Sequence, residues 1–297
     1  MHLLLIALAA AYGAVCGLLV PRPVFRLAVV PEEPWRTRCP AGHTITGPVR
    51  GWLGTARCRA CAGTTGADVT TPGAEAAPPA PVVPAAAEAP AAGPAPESGA
   101  RTAATDSPWR TRAGGSYGPA TAMTGTVAAL LCGGLAATTG ARPELAVWLL
   151  LVPFLCVLAL VDLAVHRLPD VLTLPLPAAA AALLGASALL PGHAGSWTGA
   201  LLGGAGLGAA YLVLFLIHPS GMGFGDVKLA LTLGVALGWY GWPLLFAGAF
   251  AGFLFGALYG VGLLLARRAG RKTALPFGPF MIAGTLLGLM LGGLGAA

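Results

Sequence analysis

The chain has 297 residues, of which 56% are apolar and only 9% are charged. A soluble globular domain carries about a quarter charged residues, so this composition excludes an ordinary water-soluble protein and predicts an integral membrane protein. The net charge of +6 is not accompanied by a basic face with base-stacking aromatic residues, which excludes nucleic acid as a partner.

Eight apolar segments are long enough to cross a hydrocarbon core of about 30 Å, which predicts an all-α, polytopic bundle of about eight membrane helices. In chain order the predicted spans are residues 3–20, 121–139, 144–163, 171–190, 197–217, 226–241, 243–266 and 275–296. Cytoplasmic loops are enriched in Lys and Arg, so Arg22, Arg26 and the basic cluster 267–272 are expected in the cytoplasm. Both termini then face outside, and we expect a multi-pass protein of the inner or plasma membrane.

The first segment, within residues 1–20, could instead be a cleaved secretory signal. A signal peptide has basic residues before its apolar run, whereas here no Lys or Arg precedes the run and several follow it. We therefore interpret residues 1–20 as a retained first membrane span.

The polar insert between the first two spans has two parts. Residues 21–61 contain arginines, tryptophans and three of the six cysteines, and form a small loop expected on the cytoplasmic side. Residues 62–120 consist mostly of Ala, Pro, Gly and Thr, and cannot bury enough apolar surface to offset their chain entropy. This second part is expected to be a disordered tract.

The first part of the insert carries a potential zinc site. Cys58 and Cys61 are separated by two residues, as in many zinc sites, and Cys39 with His43 supplies a sulfur and a nitrogen that would complete a tetrahedral set. The alternative is a group of reduced thiols without metal. A disulfide is disfavoured on the cytoplasmic side of a membrane.

Carboxylates are rare in the membrane part. After residue 120 there are four, Glu144, Asp162, Asp170 and Asp226. Ionisable groups at membrane depth are costly and usually mark a functional site. Glu144 begins a span on the outer side, where interfacial water is expected to solvate it. The three aspartates all map to the cytoplasmic edge.

Asp162 and Asp226 are 64 residues apart in sequence, yet they end and begin predicted spans at the same depth. Packing of these two helices would bring the carboxylates within hydrogen-bond range. The glycines at 221, 223 and 225 are expected to permit turns closed to other residues and the close approach of a substrate. A helix N-cap would explain Asp226 without catalysis, but Asp162 lies at a helix C-terminal end, where an anion is disfavoured.

Three short motifs occur in the same order as in a known family. The first is Asp162 followed by Leu168-Pro169-Asp170-Val171-Leu172-Thr173, the second is Gly223-Phe224-Gly225-Asp226-Val227-Lys228, and the third is Pro276-Phe277-Gly278-Pro279. With these motifs, the chain resembles the type IV prepilin peptidases, which are membrane aspartic proteases of the Gly-x-Gly-Asp class.

The resemblance implies an aspartic endopeptidase domain over residues 121–297. Such an enzyme removes the basic leader from prepilins or pseudopilins of a type IV pilus or type II secretion system, at the cytoplasmic face of the membrane. It implies Asp162 and Asp226 as the catalytic residues, and no cofactor for proteolysis. The residues expected to support them are Gly223, Gly225, Asp170 and Lys228, with Asp170 as a helix cap and Lys228 anchored at the membrane edge.

Two neighbouring carboxylates cannot both ionise cheaply, so they are expected to share one proton. The ionised member would take a proton from water, and the protonated member would hydrogen-bond the scissile carbonyl. Asp226, at a helix N-terminus, is predicted to be the base, and Asp162 the acid.

The cysteine segment resembles the zinc-binding loop of the long bacterial members, which carry two Cys-x2-Cys pairs. Here Gly42 stands where the second cysteine of one pair would be, with His43 beside it. Those members also methylate the new N-terminal residue with S-adenosylmethionine. Because this region is altered, we do not carry that second activity over from the resemblance.

Two functions of other classes compete with a peptidase. The bundle could be a transporter, whose substrate site would place acids near the middle of the membrane. It could also be a scaffold of pilus or secretion assembly that holds pilins without cutting them. Which pilin is bound, and in which oligomeric state the chain works, is not encoded in any motif that we identify.

Overall fold

The structure is a computed structural model of the chain, and it describes residues 1–30, 33–63, 115–219, 222–266 and 275–296. Most of the predicted disordered tract, the basic cluster 267–272 and Gly221 lie outside the described residues. Within the described part, regular secondary structure consists of helices, accompanied by two isolated β-bridges. The predicted all-α class is therefore confirmed.

Twelve helices occur in the described part of the chain. In order they are α1 His2–Leu19, α2 Pro21–Leu27, α3 Pro48–Gly51, α4 Arg59–Gly63, α5 Thr121–Thr139, α6 Glu144–Val165, α7 Asp170–Thr173, α8 Pro175–Ala188, α9 Trp197–Ile217, α10 Phe224–Gly238, α11 Trp242–Leu265 and α12 Gly278–Gly295.

Seven stretches of the described residues are helical, apolar and long enough to span a membrane, so the polytopic bundle is confirmed. The sixth predicted span, 226–241, is not among them; it corresponds to α10, which has 15 residues and a length of about 22 Å. Most of α10 is buried, and it packs against α8, α9, α11 and α12. A short helix is tolerated there because neighbouring helices, rather than lipid, surround it.

Close helix pairs form around small residues. The most extensive contacts join α1 to α5, α9 to α10 and α11 to α12. Between α9 and α10, a Cβ added to Gly203 would lie 2.6 Å from the carbonyl oxygen of Gly234, so the backbones touch where the side chains are absent. Packing of this kind is the main attraction between helices in lipid, where the hydrophobic effect does not distinguish protein from solvent.

The connections place the polar segments at one end of the bundle. The segment 28–63, which we call the cysteine loop, follows α1 and α2, and the end of α6, the start of α10 and the start of α12 lie at the same end. We call this the loop end. Two buried arginines attach the loop to α2, since Arg22 donates to the carbonyl oxygens of Leu53 and Thr46, and Arg26 donates to that of Arg50.

The expectation that water solvates Glu144 is wrong. Glu144 lies at the opposite end and is 0% exposed, because the loop between α8 and α9 folds over it. The backbone N–H of Ala194 in that loop donates a hydrogen bond to Glu144 Oε1 at 3.2 Å.

Candidate functional site

Asp162 lies in the last turn of α6. The helix ends because His166 takes a left-handed conformation, with a φ of 53°, and its N–H bonds the Asp162 carbonyl oxygen. The Asp162 side chain is buried, and its Oδ2 accepts a hydrogen bond of 3.0 Å from the backbone N–H of Gly278. The first residue of α12 thus holds a carboxylate of α6.

Asp226 lies in the first turn of α10 and is also buried. Its Oδ2 accepts a hydrogen bond of 3.2 Å from the backbone N–H of Gly223, the residue before the helix. Asp226 is therefore not the N-cap considered from the sequence: Gly223 holds that position, and the Asp226 side chain bonds back to it from the first turn. This bond uses one of the two carboxylate oxygens and leaves capacity on the other.

Asp162 and Asp226 line one cavity of about 490 Å³, which we call the aspartate cavity. The two carboxyl groups are close enough to interact electrostatically. The other ionisable side chains among the described lining residues are His166, Arg167, Asp170 and Lys228. The expected packing of α6 directly on α10 is wrong, because these two helices make little contact with each other. Instead α8 and α12 pack against both helices, and the fold brings to one cavity the two acids that the sequence singled out.

Asp170 and Lys228 form an ion pair across this cavity, with 2.7 Å between Lys228 Nζ and Asp170 Oδ1. The expectation that Asp170 caps a helix is wrong, because no side chain makes the cap hydrogen bond of α7. Lys228 is likewise not a free anchor at the membrane edge: only 18% of its side chain is exposed. The pair connects α7 to α10 beside the two buried aspartates.

The glycines beside the aspartates allow close packing rather than unusual turns. Gly223 has an ordinary φ of −76°, and Gly225 lies inside α10, which corrects the expected turn for these two residues. A Cβ on Gly225 would lie 3.0 Å from Leu168 Cβ, and a Cβ on Gly278 would lie 2.8 Å from Asp162 Oδ2. A side chain at Gly225 would require Leu168 to move, and one at Gly278 would require the Asp162 carboxylate to move.

Two residues of this site were not assigned a role from the sequence. Gly278 belongs to a quoted motif, but only the fold shows that its N–H meets Asp162. Tyr211, in α9, is buried, and its ring centroid lies 6.2 Å from that of Phe277, a residue that lines the aspartate cavity. No local pattern marks a tyrosine inside an apolar helix as part of a site, so sequence reasoning had no signal to find it.

The four proposed metal ligands of the cysteine loop lie together. One donor atom each from Cys39, His43, Cys58 and Cys61 falls within 4.8 Å of all the others. A tetrahedral zinc with Zn–S bonds of about 2.3 Å separates its sulfur ligands by about 3.8 Å. Cys39 Sγ and Cys61 Sγ are 3.8 Å apart, and His43 Nδ1 is 3.3–3.7 Å from the three sulfurs. The donor set fits a zinc ion.

The local backbone explains why a glycine stands in the loop. Gly42 has a φ of 87°, a left-handed conformation that a cysteine would adopt only under strain. The turn brings His43 to the three thiols, so the imidazole supplies the fourth donor. Burial, together with the neighbouring thiols, raises the pKa of Cys61 to about 12, whereas the pKa of Cys58 is lowered, because hydrogen bonds with Cys61 outweigh the effect of its burial.

A comparison with known protein families finds a match in the membrane part of the chain. Residues 149–261 match the family model described as "Type IV leader peptidase family", and both Asp162 and Asp226 fall within this match. This segment is therefore similar to that family. The cysteine loop and Gly278 lie outside the matched residues.

Curated relatives point the same way. A prepilin leader peptidase/N-methyltransferase of Aeromonas salmonicida is 36% identical over 154 residues, which cover 48% of each chain. A protein of the same name from Pseudomonas aeruginosa is 34% identical over 172 residues, which cover 55% of this chain and 56% of the relative. Another, from Bacillus subtilis, is 37% identical over 97 residues, which cover 33% of this chain and 38% of the relative. The chain thus spans about half the length of the curated relatives it matches. No solved structure matches it significantly.

Proposed function

We propose that the chain is a membrane aspartic endopeptidase that removes the basic leader from prepilins or pseudopilins. The observation that carries this proposal is the aspartate cavity, where two buried carboxylates from α6 and α10 face one space. Similarity also supports the proposal, because both acids lie in the segment that matches the leader peptidase family model.

In the proposed mechanism the two aspartates share one proton. The ionised carboxylate removes a proton from water, and the oxygen of that water bonds to the scissile carbonyl carbon. The protonated carboxyl donates a hydrogen bond to the carbonyl oxygen as negative charge develops there. The tetrahedral intermediate then breaks its C–N bond, and the leaving nitrogen takes a proton from the carboxyl pair.

Helix polarity supports Asp226 as the base and Asp162 as the acid. Asp226 is in the first turn of α10, where free N–H groups favour an anion, whereas Asp162 is in the last turn of α6, where carbonyl groups disfavour one. Each also accepts one backbone N–H, from Gly223 and Gly278 respectively, so these two bonds do not distinguish them.

We place the aspartate cavity at the cytoplasmic face of the inner or plasma membrane. Among the described residues, Arg142 is the one Lys or Arg at the opposite end. Those at the loop end are Arg22, Arg26, Arg36, Arg38, Arg50, Arg57, Arg59, Arg167 and Lys228. Because positive charge accumulates on the cytoplasmic side, this distribution favours a cytoplasmic loop end. A precursor with a basic cytoplasmic leader would then present its cleavage site beside the aspartates.

We further propose that Cys39, His43, Cys58 and Cys61 bind one structural zinc ion. All four positions around the ion would be filled by protein donors, as in structural rather than catalytic zinc sites. The ion would cross-link the two halves of the cysteine loop. The N-methylation of the new amino terminus, with S-adenosylmethionine as donor, rests on the names of the relatives alone, and no residue described here is assigned to it.

The transporter and scaffold alternatives are less well supported. A transporter would place its acids near the membrane midplane, whereas Asp162 and Asp226 lie at helix ends. A scaffold would have no need to bury two interacting carboxylates in one cavity, since buried charge is costly without a function.

Cleavage of a prepilin by the purified chain in proteoliposomes tests the proposal. The isosteric changes Asp162→Asn and Asp226→Asn should each lower the rate by at least about a thousandfold, because a group that acts as a unit fails when either member is lost. Both variants should still purify as monodisperse protein. Cleavage by either variant within tenfold of the wild-type rate would refute a catalytic pair.

A further inference from the structure

The inference concerns a groove in the membrane part that the proposed chemistry does not use. This apolar groove has a volume of about 460 Å³ and lies between α1–α2, the cysteine loop, α6 and α7. Of the described residues that line it, none is charged. Its walls include Trp35 and Leu53 of the loop, Phe154 of α6 and Val171 of α7, each of which is 43–50% exposed.

Shared wall residues link the groove to the aspartate cavity through a third cavity. A polar cavity of about 350 Å³, which we call the connecting cavity, shares Leu27, Trp35 and Val171 with the apolar groove. The connecting cavity in turn shares Arg167 and Asp170 with the aspartate cavity. One surface therefore leads from the membrane part of α6 to the two aspartates.

The depth of the groove matches the membrane interior. Phe154 lies eight residues before Asp162 on α6, which corresponds to about 12 Å along the helix. The groove therefore extends about two helical turns from the level of Asp162 towards the opposite end. At its polar end, Trp35 packs edge to face against Trp52, and aromatic residues of this kind are typical of the membrane–water interface.

We propose that the apolar groove binds the apolar segment of the precursor that follows the cleaved bond. This inference rests on the proposed peptidase function. An extended peptide between a bound helix and the active site exposes N–H and C=O groups, which need polar partners at membrane depth. The connecting cavity provides Glu33, Arg167 and Asp170 along that route. A lipid acyl chain has no such need, so the polar link to the aspartates favours a peptide as occupant.

A second apolar groove is the natural comparison. It has about 470 Å³, is lined by residues of α5, α6, α11 and α12 such as Leu131 and Leu287, and shares no lining residue with the connecting cavity or with the aspartate cavity. Volume and apolar character alone would not choose between the two grooves. The residues shared with the connecting cavity select the groove beside Phe154.

Photo-cross-linking tests the inference. A benzophenone amino acid is placed at Phe154, or at the control positions Leu287 in the second groove and Phe250 on the exposed side of α11. Each full-length variant also carries Asp226→Asn to keep the prepilin uncut, and is reconstituted with a prepilin that the wild-type chain cleaves. We expect capture at Phe154 to exceed that at Leu287 and Phe250 by at least about fivefold. Equal capture at the three positions, or lipid adducts alone at Phe154, would overturn the inference.

Kinetics give an independent reading in the active chain. Two substrates are compared: the full prepilin and a soluble peptide that ends just after the cleaved bond. The ratio of their kcat/KM values, prepilin over peptide, should fall about tenfold with Phe154→Ala and with Leu53→Ala, as for the loss of one good apolar contact. Phe250→Ala should leave the ratio unchanged. An unchanged ratio in both groove variants would overturn the inference while the peptidase stands. Failure of the wild-type chain to cut any prepilin would refute the peptidase and the groove together.

Discussion

Substitution of Gly278 by alanine tests how the fold holds the proposed acid. The Gly278 N–H donates to Asp162 Oδ2 at 3.0 Å, and an alanine Cβ would lie 2.8 Å from the same oxygen. That separation is too short for a carbon and an oxygen, so the carboxylate must rotate away and lose its donor. Gly278 is the first residue of α12 and has no left-handed backbone, so alanine introduces no conformational strain there.

The size of the effect follows from the bond that is lost. A hydrogen bond to a charged group contributes about 1.5–3 kcal/mol, which corresponds to a loss of about 10- to 150-fold in kcat if Asp162 works only in this position. The free energy of unfolding should fall by no more than about 1–3 kcal/mol, because the buried carboxylate loses one donor while the better helix propensity of alanine offsets part of the cost. The variant is therefore expected to fold, so that the loss of kcat can be measured on folded protein.

The assay is cleavage of a short leader peptide at saturation, together with thermal unfolding of the same preparation. Gly295→Ala is the matched control, since it lies at the other end of α12 and an added Cβ there meets nothing within 4 Å. It should leave both activity and melting temperature unchanged. A kcat for Gly278→Ala within twofold of wild type would refute the claim that this N–H positions Asp162.

Three other predictions follow from the same end of the bundle. Lys228→Asp or Asp170→Lys alone should lower the peptidase activity about three- to tenfold, which is the modest effect of a partly exposed ion pair. The double exchange should recover most of this activity in the peptide assay, and no recovery would mean that the pair does not act as a unit. The purified chain should contain one zinc ion per molecule by elemental analysis. The His43→Ala variant should lose the zinc, and the His43→Cys variant should keep it. An equal zinc content in the wild-type chain and both variants would exclude His43 as a ligand. Arg22→Ala should destabilise the cysteine loop by about 2–4 kcal/mol, because two partly buried hydrogen bonds from the charged guanidinium to the carbonyl oxygens of Leu53 and Thr46 are lost, and should speed proteolysis of that loop. The change of the exposed Arg38 to alanine should have no effect, and equal proteolysis rates would contradict this role of Arg22.

The membrane class and the membrane helices could be predicted from the sequence because they depend on local composition. A run of apolar residues without charge favours lipid whatever its neighbours are, so the helical segments, the rare carboxylates and the cysteine–histidine set were visible along the chain. The predicted span 226–241 is the exception, because its length is marginal. The corresponding helix α10 has the apolar content of a span, but its 15 residues are enclosed by other helices.

Tertiary structure alone decided which of these groups meet. Asp170 pairs with Lys228, Gly278 holds Asp162 and Glu144 is covered by a distant loop, and each of these contacts joins segments far apart in the chain. The physical reason is that apolar helices rich in glycine and alanine can pack in many rotations of similar energy in lipid. Local sequence therefore predicts that a helix crosses the membrane. Which face of that helix contacts another helix is determined only by the packing of the bundle.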